Sequence, residues 1–304
     1  GNIALTHPSF AGPMGETLAG IERRLGIAGY HISSGRLVSP ITSGGSWLAH
    51  ATLSAGLRVD GQGLYDVLLA SDAPTLPRFF KRAGYRAVAA MPRMQQPWPE
   101  GAFFGFDAVH NDRSFAYRGP RFSWETMPDE FVLDSLHRRE IERRTAPLFM
   151  QIVLSSSHAP FDLVPALTPD ANPADLGDGR IYGALPVQRF PLKGGRVFEQ
   201  TDGYLAAIQY SLDAVGRYLE RRLADDTLVI VLGDHQPPLA IAAKARDRGV
   251  PIHVLSRDPS LLAPFAAWGF ASGMAPPQDA PALAMEDFLG RFLAGFSGLP
   301  TGGP

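Results

Sequence analysis

Two adjacent residues after an apolar run have side chains that could hold a metal ion. In LVIVLGDHQPPLA, residues 228–240, five apolar residues lead to Gly233, then Asp234 and His235, and then two prolines. A carboxylate oxygen and an imidazole nitrogen together suit Zn²⁺ or Mn²⁺. Beyond the end of a strand the chain can turn, so both side chains can reach one ion. The alternative is an Asx-type turn before Pro237, with a solvated His235.

Ser46 follows two glycines in TSGGSWLAH, residues 42–50, where a helix is predicted to begin. A helix N-terminus offers unpaired N–H groups and a partial positive charge, which suit a phosphate or sulfate bound to the serine hydroxyl. The alternative is that Ser46 only caps the helix, because serine is a favoured N-cap residue.

His158 follows an apolar run and three serines in IVLSSSHAPF, residues 152–161. Histidine serves both proton transfer and metal ligation near neutral pH. The alternative is an ordinary loop histidine at the end of a strand.

The elements that must position these residues alternate between strand and helix along the chain. Apolar runs and turn signals predict strands at 30–39, 85–91, 147–157, 227–232 and 250–256. Helical spacing predicts helices at 46–57, 75–84, 129–144, 202–223, 259–268 and 281–296. This order predicts an α/β fold with a mostly parallel central sheet flanked by helices on both faces. In such sheets ligands bind at the carboxyl ends of the strands, which is where the three segments fall.

The length and composition fit one large α/β domain or two ordinary ones. We predict a single domain over residues 1–296, with a long surface excursion rich in Pro, Gly and Asp at 162–200 and a disordered tail at 297–304. The chain has 28 basic and 30 acidic residues and no basic block, which argues against a nucleic-acid partner. It has no cysteine, which excludes disulfides, cysteine-ligated zinc and a cysteine nucleophile.

Taken in order, these segments resemble the alkaline phosphatase and sulfatase superfamily. SWLAHATLSAG resembles the sulfatase nucleophile segment, with Ser46 ten residues before Gly56, and VIVLGDHQPP resembles the GDHG metal strand. SSSHAPF, TLPRFFKRAGYRAVAAM and FFGFDAV resemble the branch of lipoteichoic-acid synthases and related phosphoglycerol and phosphoethanolamine transferases. The resemblance runs from about residue 30 to 260.

The sequence departs from the family pattern in two places. Leu48 and His50 stand where the formylglycine motif of sulfatases requires Pro and Arg. The resemblance therefore implies an unmodified serine nucleophile rather than formylglycine chemistry. In the family the first strand ends in an acidic metal ligand. The chain opens GNIALTHPSF, so we expect that strand and its ligand to precede Gly1; PSFAG, residues 8–12, is a weaker rival.

The resemblance implies metal-dependent phosphoryl transfer through Ser46. One divalent metal, Mn²⁺ or Zn²⁺ with Mg²⁺ as a further candidate, would be held by Asp234, His235, Ser46 and the carboxylate that we expect to precede Gly1. His158 would protonate the leaving alkoxide or bind the head group. His50, Trp98 and Arg93 are the candidate substrate-binding residues, and the alternative for each is a packing role.

Three functions follow from this resemblance. The first is a phosphotransferase acting on a phospholipid or glycan, in an extracytoplasmic, periplasmic domain of a bacterial membrane protein. Its proximity to the membrane would come from segments absent from this chain. The second is a soluble phosphodiesterase or phosphomonoesterase of the same fold. The third is a non-catalytic binding domain.

Overall fold

The computed structural model describes residues 1–169, 176–192, 201–223, 226–242 and 247–296. The α/β class is confirmed. The α-helices are α1 (Ile3–Thr6), α2 (Pro8–Ile27), α3 (Ser46–Ala55), α4 (Gln62–Leu69), α5 (Leu76–Arg82), α6 (Gly101–Phe104), α7 (Asp129–Leu136), α8 (Thr201–Arg222), α9 (Leu239–Ala242), α10 (Ala263–Ala266) and α11 (Asp287–Phe296). The strands are β1 (His31–Val38), β2 (Arg86–Met91), β3 (Ala108–Asn111), β4 (Leu148–Ile152), β5 (Leu163–Pro165), β6 (Val187–Arg189), β7 (Val229–Leu232), β8 (Gly249–Ser256), β9 (Ala271–Ser272) and β10 (Leu283–Ala284).

The chain divides into two compact units. The first unit contains Gly1–Leu76 and the described residues from Leu223 onward, and the second contains Pro77–Arg222. The prediction of one catalytic domain over residues 1–296 stays a prediction, and the predicted tail at 297–304 lies outside the described residues.

The sheet of the first unit has the strand order β10-β1-β8-β7, and β9 also pairs with β1. β8 runs antiparallel to both of its neighbours, and β10 runs parallel to β1. The sequence predicted a mostly parallel sheet. The pattern of apolar runs does not distinguish a parallel from an antiparallel neighbour when both faces of a strand are covered. In this unit the sheet is therefore only partly parallel.

The main sheet of the second unit is parallel throughout, with the order β3-β2-β4. The middle of the central strand β2 is buried, and Ala87, Val88, Ala89 and Ala90 are each 0% exposed. A continuous run of buried apolar residues is what a parallel sheet covered on both faces requires. This part of the predicted architecture is confirmed.

Part of the described segment 162–200 packs into the core of the second unit. β5 and β6 pair antiparallel, and Leu176 and Tyr182 are buried in a cluster with Phe131. The segment therefore supplies core side chains where the sequence suggested a surface excursion.

The long helix α2 was not predicted from the sequence. It buries five apolar residues at helical spacing: Phe10, Met14, Leu18, Ile21 and Leu25. PSFAG is the first turn of this helix, with Pro8 at a position where the missing N–H costs no hydrogen bond. Among the described residues, no helix is both long and apolar enough to cross a membrane.

Candidate active site

Two glycines in a left-handed conformation place Ser46 at the start of α3. Gly44 has φ 69° and Gly45 has φ 70°, a region that glycine enters without the steric cost of a side chain. Gly45 occupies the N-cap position, and its carbonyl accepts a hydrogen bond from the N–H of Leu48. Ser46 is therefore the first residue of the helix, and its hydroxyl is not needed as a cap.

Ser46, Asp234 and His235 lie together in the first unit. Ser46 Oγ is 3.1 Å from His235 Nε2, and His235 Nε2 is 3.5 Å from Asp234 Oδ2. Asp234 Oδ1 also accepts a hydrogen bond of 2.8 Å from the backbone N–H of His235. The chain thus turns after β7, and the turn directs both side chains toward Ser46.

The backbone beside His235 fixes the direction of its ring. Nδ1 of His235 lies 2.6 Å from the carbonyl oxygen of Gln236. A carbonyl only accepts hydrogen bonds, so Nδ1 carries the hydrogen and the lone pair of the neutral ring is on Nε2. That lone pair faces Ser46 Oγ. It is placed to accept the serine proton or to bind a metal.

Gln236 anchors the turn that carries Asp234 and His235, and it is 1% exposed. Its side-chain oxygen accepts a 3.2 Å hydrogen bond from the N–H of Ile3, and its Nε2 donates to the carbonyl of Gly249 at 2.8 Å. Its backbone N–H donates to the carbonyl of Thr42 at 3.1 Å. Because Thr42 lies in the glycine loop before Ser46, this bond joins that loop to the turn that carries Asp234 and His235. Nothing in the sequence singled out Gln236.

His50 joins the cluster from one turn further along α3. Its Nε2 is 3.9 Å from Asp234 Oδ2, and its side chain is half-buried. Burial lowers the pKa of His50, and the negative charge of Asp234 opposes this shift. Desolvation acts to raise the pKa of Asp234, but His235, His50 and the Ser46 hydrogen bond outweigh it, so this pKa lies below its usual value. His50 thus contacts the acidic side chain of the cluster.

The donor set of this cluster fits a divalent cation in its chemistry. Asp234, His235 and Ser46 offer a carboxylate, an imidazole and a hydroxyl, which are ligand types of Zn²⁺ and Mn²⁺. The described residues contain no group of three or more His, Asp or Glu side chains placed to hold a metal. The set therefore matches a metal in donor type but lacks the number of ligands that a closed site has.

His158 lies in the second unit, where a buried carboxylate holds the turn before it. Asp129 Oδ1 accepts hydrogen bonds of 3.0 Å from the backbone N–H groups of Ser155 and Ser156. Asp129 Oδ2 accepts a 2.7 Å bond from Ser211 Oγ on α8. The N–H of His158 in turn donates to the carbonyl of Ser155 at 3.1 Å. These bonds fix the backbone from which His158 projects.

The candidate substrate residues Arg93 and Trp98 have different surroundings. Arg93 Nε donates to the carbonyl of Trp124 at 2.6 Å, and its guanidinium lies 4.8 Å from the centre of the Trp124 ring. Trp98 stacks on Phe104, with ring centroids 5.4 Å apart, and also packs on Phe106. Trp98 therefore packs on neighbouring aromatic rings, and Arg93 lies beside Trp124, which the sequence did not single out.

The predicted site residues are thus divided between the units. Ser46, His50, Asp234 and His235 belong to the first unit, and Arg93, Trp98 and His158 belong to the second. Their roles in catalysis stay predictions.

The sulfatase family model matches residues 51–254, which is more than half of the chain. The chain belongs to the sulfatase family. The match begins just after Ser46 and includes Asp234 and His235. The predicted resemblance to the alkaline phosphatase and sulfatase superfamily is confirmed.

Two solved structures have the same fold as this sulfatase-family chain. The lipoteichoic acid synthase LtaP from Listeria monocytogenes is 15% identical with a TM-score of 0.52, and the match covers 94% of this chain and 66% of LtaP. The Streptococcus pyogenes phosphoglycerol transferase GacH, in complex with sn-glycerol-1-phosphate, is 12% identical with a TM-score of 0.52, and the match covers 90% of this chain and 67% of GacH. The chain spans about two thirds of the length of each. No curated protein matches the sequence.

Proposed function

We propose that this chain catalyses metal-dependent transfer of a phosphoryl group through a covalent intermediate on Ser46. Its sulfatase fold and its likeness to transferase structures agree with phosphoester chemistry. The observation that carries the proposal is the contact of 3.1 Å between Ser46 Oγ and His235 Nε2, beside Asp234 and at the N-terminus of α3.

The metal would be held by Asp234, His235 and Ser46. Members of this family generally use a divalent metal, which when bound lowers the pKa of a coordinated hydroxyl and balances developing negative charge. The metal is Mn²⁺ or Zn²⁺ in this proposal, with Mg²⁺ as a further candidate. Because Gln236 holds the hydrogen on Nδ1 of His235, Nε2 is the ligand atom.

The reaction begins with Ser46 Oγ losing its proton to solvent and forming a bond to the phosphorus of a phosphodiester. The bond from phosphorus to the leaving oxygen breaks, and the leaving group departs as an alcohol after gaining a proton. The N–H groups at the start of α3 face the non-bridging oxygens and stabilise their charge. An alcohol acceptor then forms a bond to phosphorus and loses its proton, while the bond from phosphorus to Ser46 Oγ breaks and Ser46 regains a proton. In a hydrolase water takes the place of the alcohol.

His158 is the proposed donor of the proton to the leaving oxygen. Sequence resemblance supports this role. So does its ring geometry, because Nδ1 lies 2.7 Å from the carbonyl of Ala159 and therefore keeps its hydrogen. The proton that His158 exchanges is thus the one on Nε2.

A phospholipid head group or a glycan is the proposed substrate. The support is the likeness of this fold to GacH in complex with sn-glycerol-1-phosphate and to a lipoteichoic acid synthase. An extracytoplasmic location close to a membrane follows from such a substrate and belongs to the same proposal.

The test is the activity of Ser46→Ala on phosphatidylglycerol vesicles in the presence of Mn²⁺. Loss of a covalent nucleophile lowers turnover by about a thousandfold or more. Ser43→Ala is the matched control, because Ser43 lies in the same loop and is only partly buried. Full Mn²⁺-dependent activity of Ser46→Ala would exclude the proposed nucleophile.

A further inference from the structure

Trp124 has a backbone conformation and an exposure that are both unusual for tryptophan. It has φ 56° and ψ 29°, and the next residue, Glu125, has φ 55°. The left-handed region is unfavourable for residues with a side chain, and two in succession persist only where the surroundings enforce them. The residue is nonetheless 42% exposed, so burial of its apolar surface does not account for the strain.

Hydrogen bonds on both sides of Trp124 enforce this conformation. Ser123 Oγ donates to Asp162 Oδ1 at 2.7 Å and accepts from the N–H of Leu163 at 2.8 Å. Thr126 Oγ1 lies 2.5 Å from Ser155 Oγ. The turn that carries Trp124 is therefore tied to the chain on both sides of His158.

The strained turn places the Trp124 ring against His158. The two ring centroids are 3.5 Å apart and the ring planes differ by 15°, which is a parallel stack. Arg93 holds the Trp124 carbonyl through Nε and lies over the ring with its guanidinium. Trp124 is thus fixed by its backbone neighbours and by Arg93, and it offers a fixed plane to an exposed histidine.

A stacked ring plane matters for proton transfer because the transfer is directional. The hydrogen bond from Nδ1 to the carbonyl of Ala159 fixes which nitrogen of His158 exchanges a proton. The stack on Trp124 limits rotation of the His158 imidazole out of the plane parallel to the indole ring. Together the two contacts keep Nε2 of His158 pointing in one direction.

We propose that Trp124 is a positioning residue that orients the His158 ring for protonation of the leaving oxygen, which rests on the proposed function of His158. Trp124 acts through His158 and not on the substrate. The role requires a flat aromatic ring at position 124 and does not require the indole N–H.

The test combines Trp124→Ala, Trp124→Phe, His158→Ala and the double variant Trp124→Ala/His158→Ala. On phosphatidylglycerol vesicles, whose leaving group is an alkoxide, Trp124→Ala should lower kcat about tenfold, and Trp124→Phe should keep most of it. In the His158→Ala background, Trp124→Ala should cause no further loss, because the residue it positions is gone. On bis(4-nitrophenyl) phosphate, whose leaving phenolate depends far less on a proton donor, the loss caused by Trp124→Ala should be much smaller than on phosphatidylglycerol.

The same tenfold loss in the His158→Ala background, or an equal loss on both substrates, would overturn the positioning role. A second measurement is independent of activity. The His158 Cε1–H resonance, assigned by its absence in His158→Ala, should move downfield in Trp124→Ala when the ring current is lost. If His158→Ala is as active as the parent, the proposed proton donor is wrong. An unmoved resonance in Trp124→Ala excludes the positioning of the ring whatever the activity.

Discussion

At the scale of single residues, a buried glutamine anchors the turn of the candidate site. Gln236 follows Asp234 and His235 and is buried. Its side chain and its backbone N–H form hydrogen bonds with the backbone of Ile3, Gly249 and Thr42. Its carbonyl also orients the His235 ring. A substitution of the side chain therefore tests how strongly this anchor holds the turn that carries Asp234 and His235.

Gln236→Met keeps the volume of the side chain but leaves the N–H of Ile3 without its partner. It also removes one of the two hydrogen bonds to the carbonyl of Gly249, which keeps its bond from the N–H of Asn2. A buried polar group left unpaired costs about 1–3 kcal/mol, so we expect the free energy of unfolding to fall by roughly 2–3 kcal/mol. Urea denaturation measures this change. Gln96→Met is the matched control, because Gln96 is exposed. Equal free energies of unfolding for the two variants would show that the hydrogen bonds of the Gln236 side chain do not stabilise the fold.

Ser46, Asp234 and His235 could be predicted from the sequence because each follows a glycine or an apolar run in a recognisable order. Gln236, Trp124 and Asp129 could not, because their roles come from contacts with residues distant in the chain. A buried glutamine and an exposed tryptophan have no pattern of their own in a single sequence. The sequence also could not predict that Trp98 packs on Phe104, because an aromatic residue has the same pattern in a core as in a binding site.

At the scale of elements, β1 and β8 enclose a histidine whose protonation opposes folding. His253 on β8 lies opposite Ser34 on β1, is 3% exposed, and its Nδ1 is 2.8 Å from Ser34 Oγ. Ser34 Oγ donates to the carbonyl of Gly273, so it accepts the hydrogen from His253. His253 is therefore a satisfied core residue and is bonded within the sheet.

Burial lowers the pKa of His253 from 6.5 to about 4. Between these pH values the unfolded chain binds more protons than the folded chain, so stability falls as the pH decreases from about 6.5 to 4. We expect this one group to remove about 3 kcal/mol over that range. His253→Asn keeps a donor near Nδ1 but does not titrate. Urea denaturation at pH 7 and pH 4 should show a smaller loss for His253→Asn than for the parent, and equal losses would refute the assignment.

The strands and helices that carry the site agree with the sequence because their apolar periodicity is strong. The helix α2 was missed because Pro13 and several glycines interrupt a spacing that is otherwise helical. The antiparallel pairing of β8 was missed because strand direction depends on the partner, which the periodicity of one strand does not report.

At the scale of the whole molecule, a bound metal should stabilise the folded chain. A ligand that binds only the folded state at 100 times its Kd adds about 2.7 kcal/mol to the free energy of unfolding. We therefore expect Mn²⁺ to raise the Tm of the parent protein and EDTA to reverse the rise. Asp234→Asn should abolish the shift, whereas Asp72→Asn, at an exposed position, should keep it. An equal Mn²⁺ shift in Asp234→Asn would place the metal elsewhere.

The central claim is that phosphoryl transfer passes through Ser46, and mass spectrometry of the acid-quenched reaction tests it most directly. After mixing with phosphatidylglycerol and Mn²⁺ for times shorter than one turnover, the peptide containing Ser46 should gain one phosphoglycerol group. The same peptide from Ser46→Ala should gain none. Two results would contradict the account. In the first, product forms while the phosphoglycerol group is found on a residue other than Ser46. In the second, product forms with no protein adduct at any quench time.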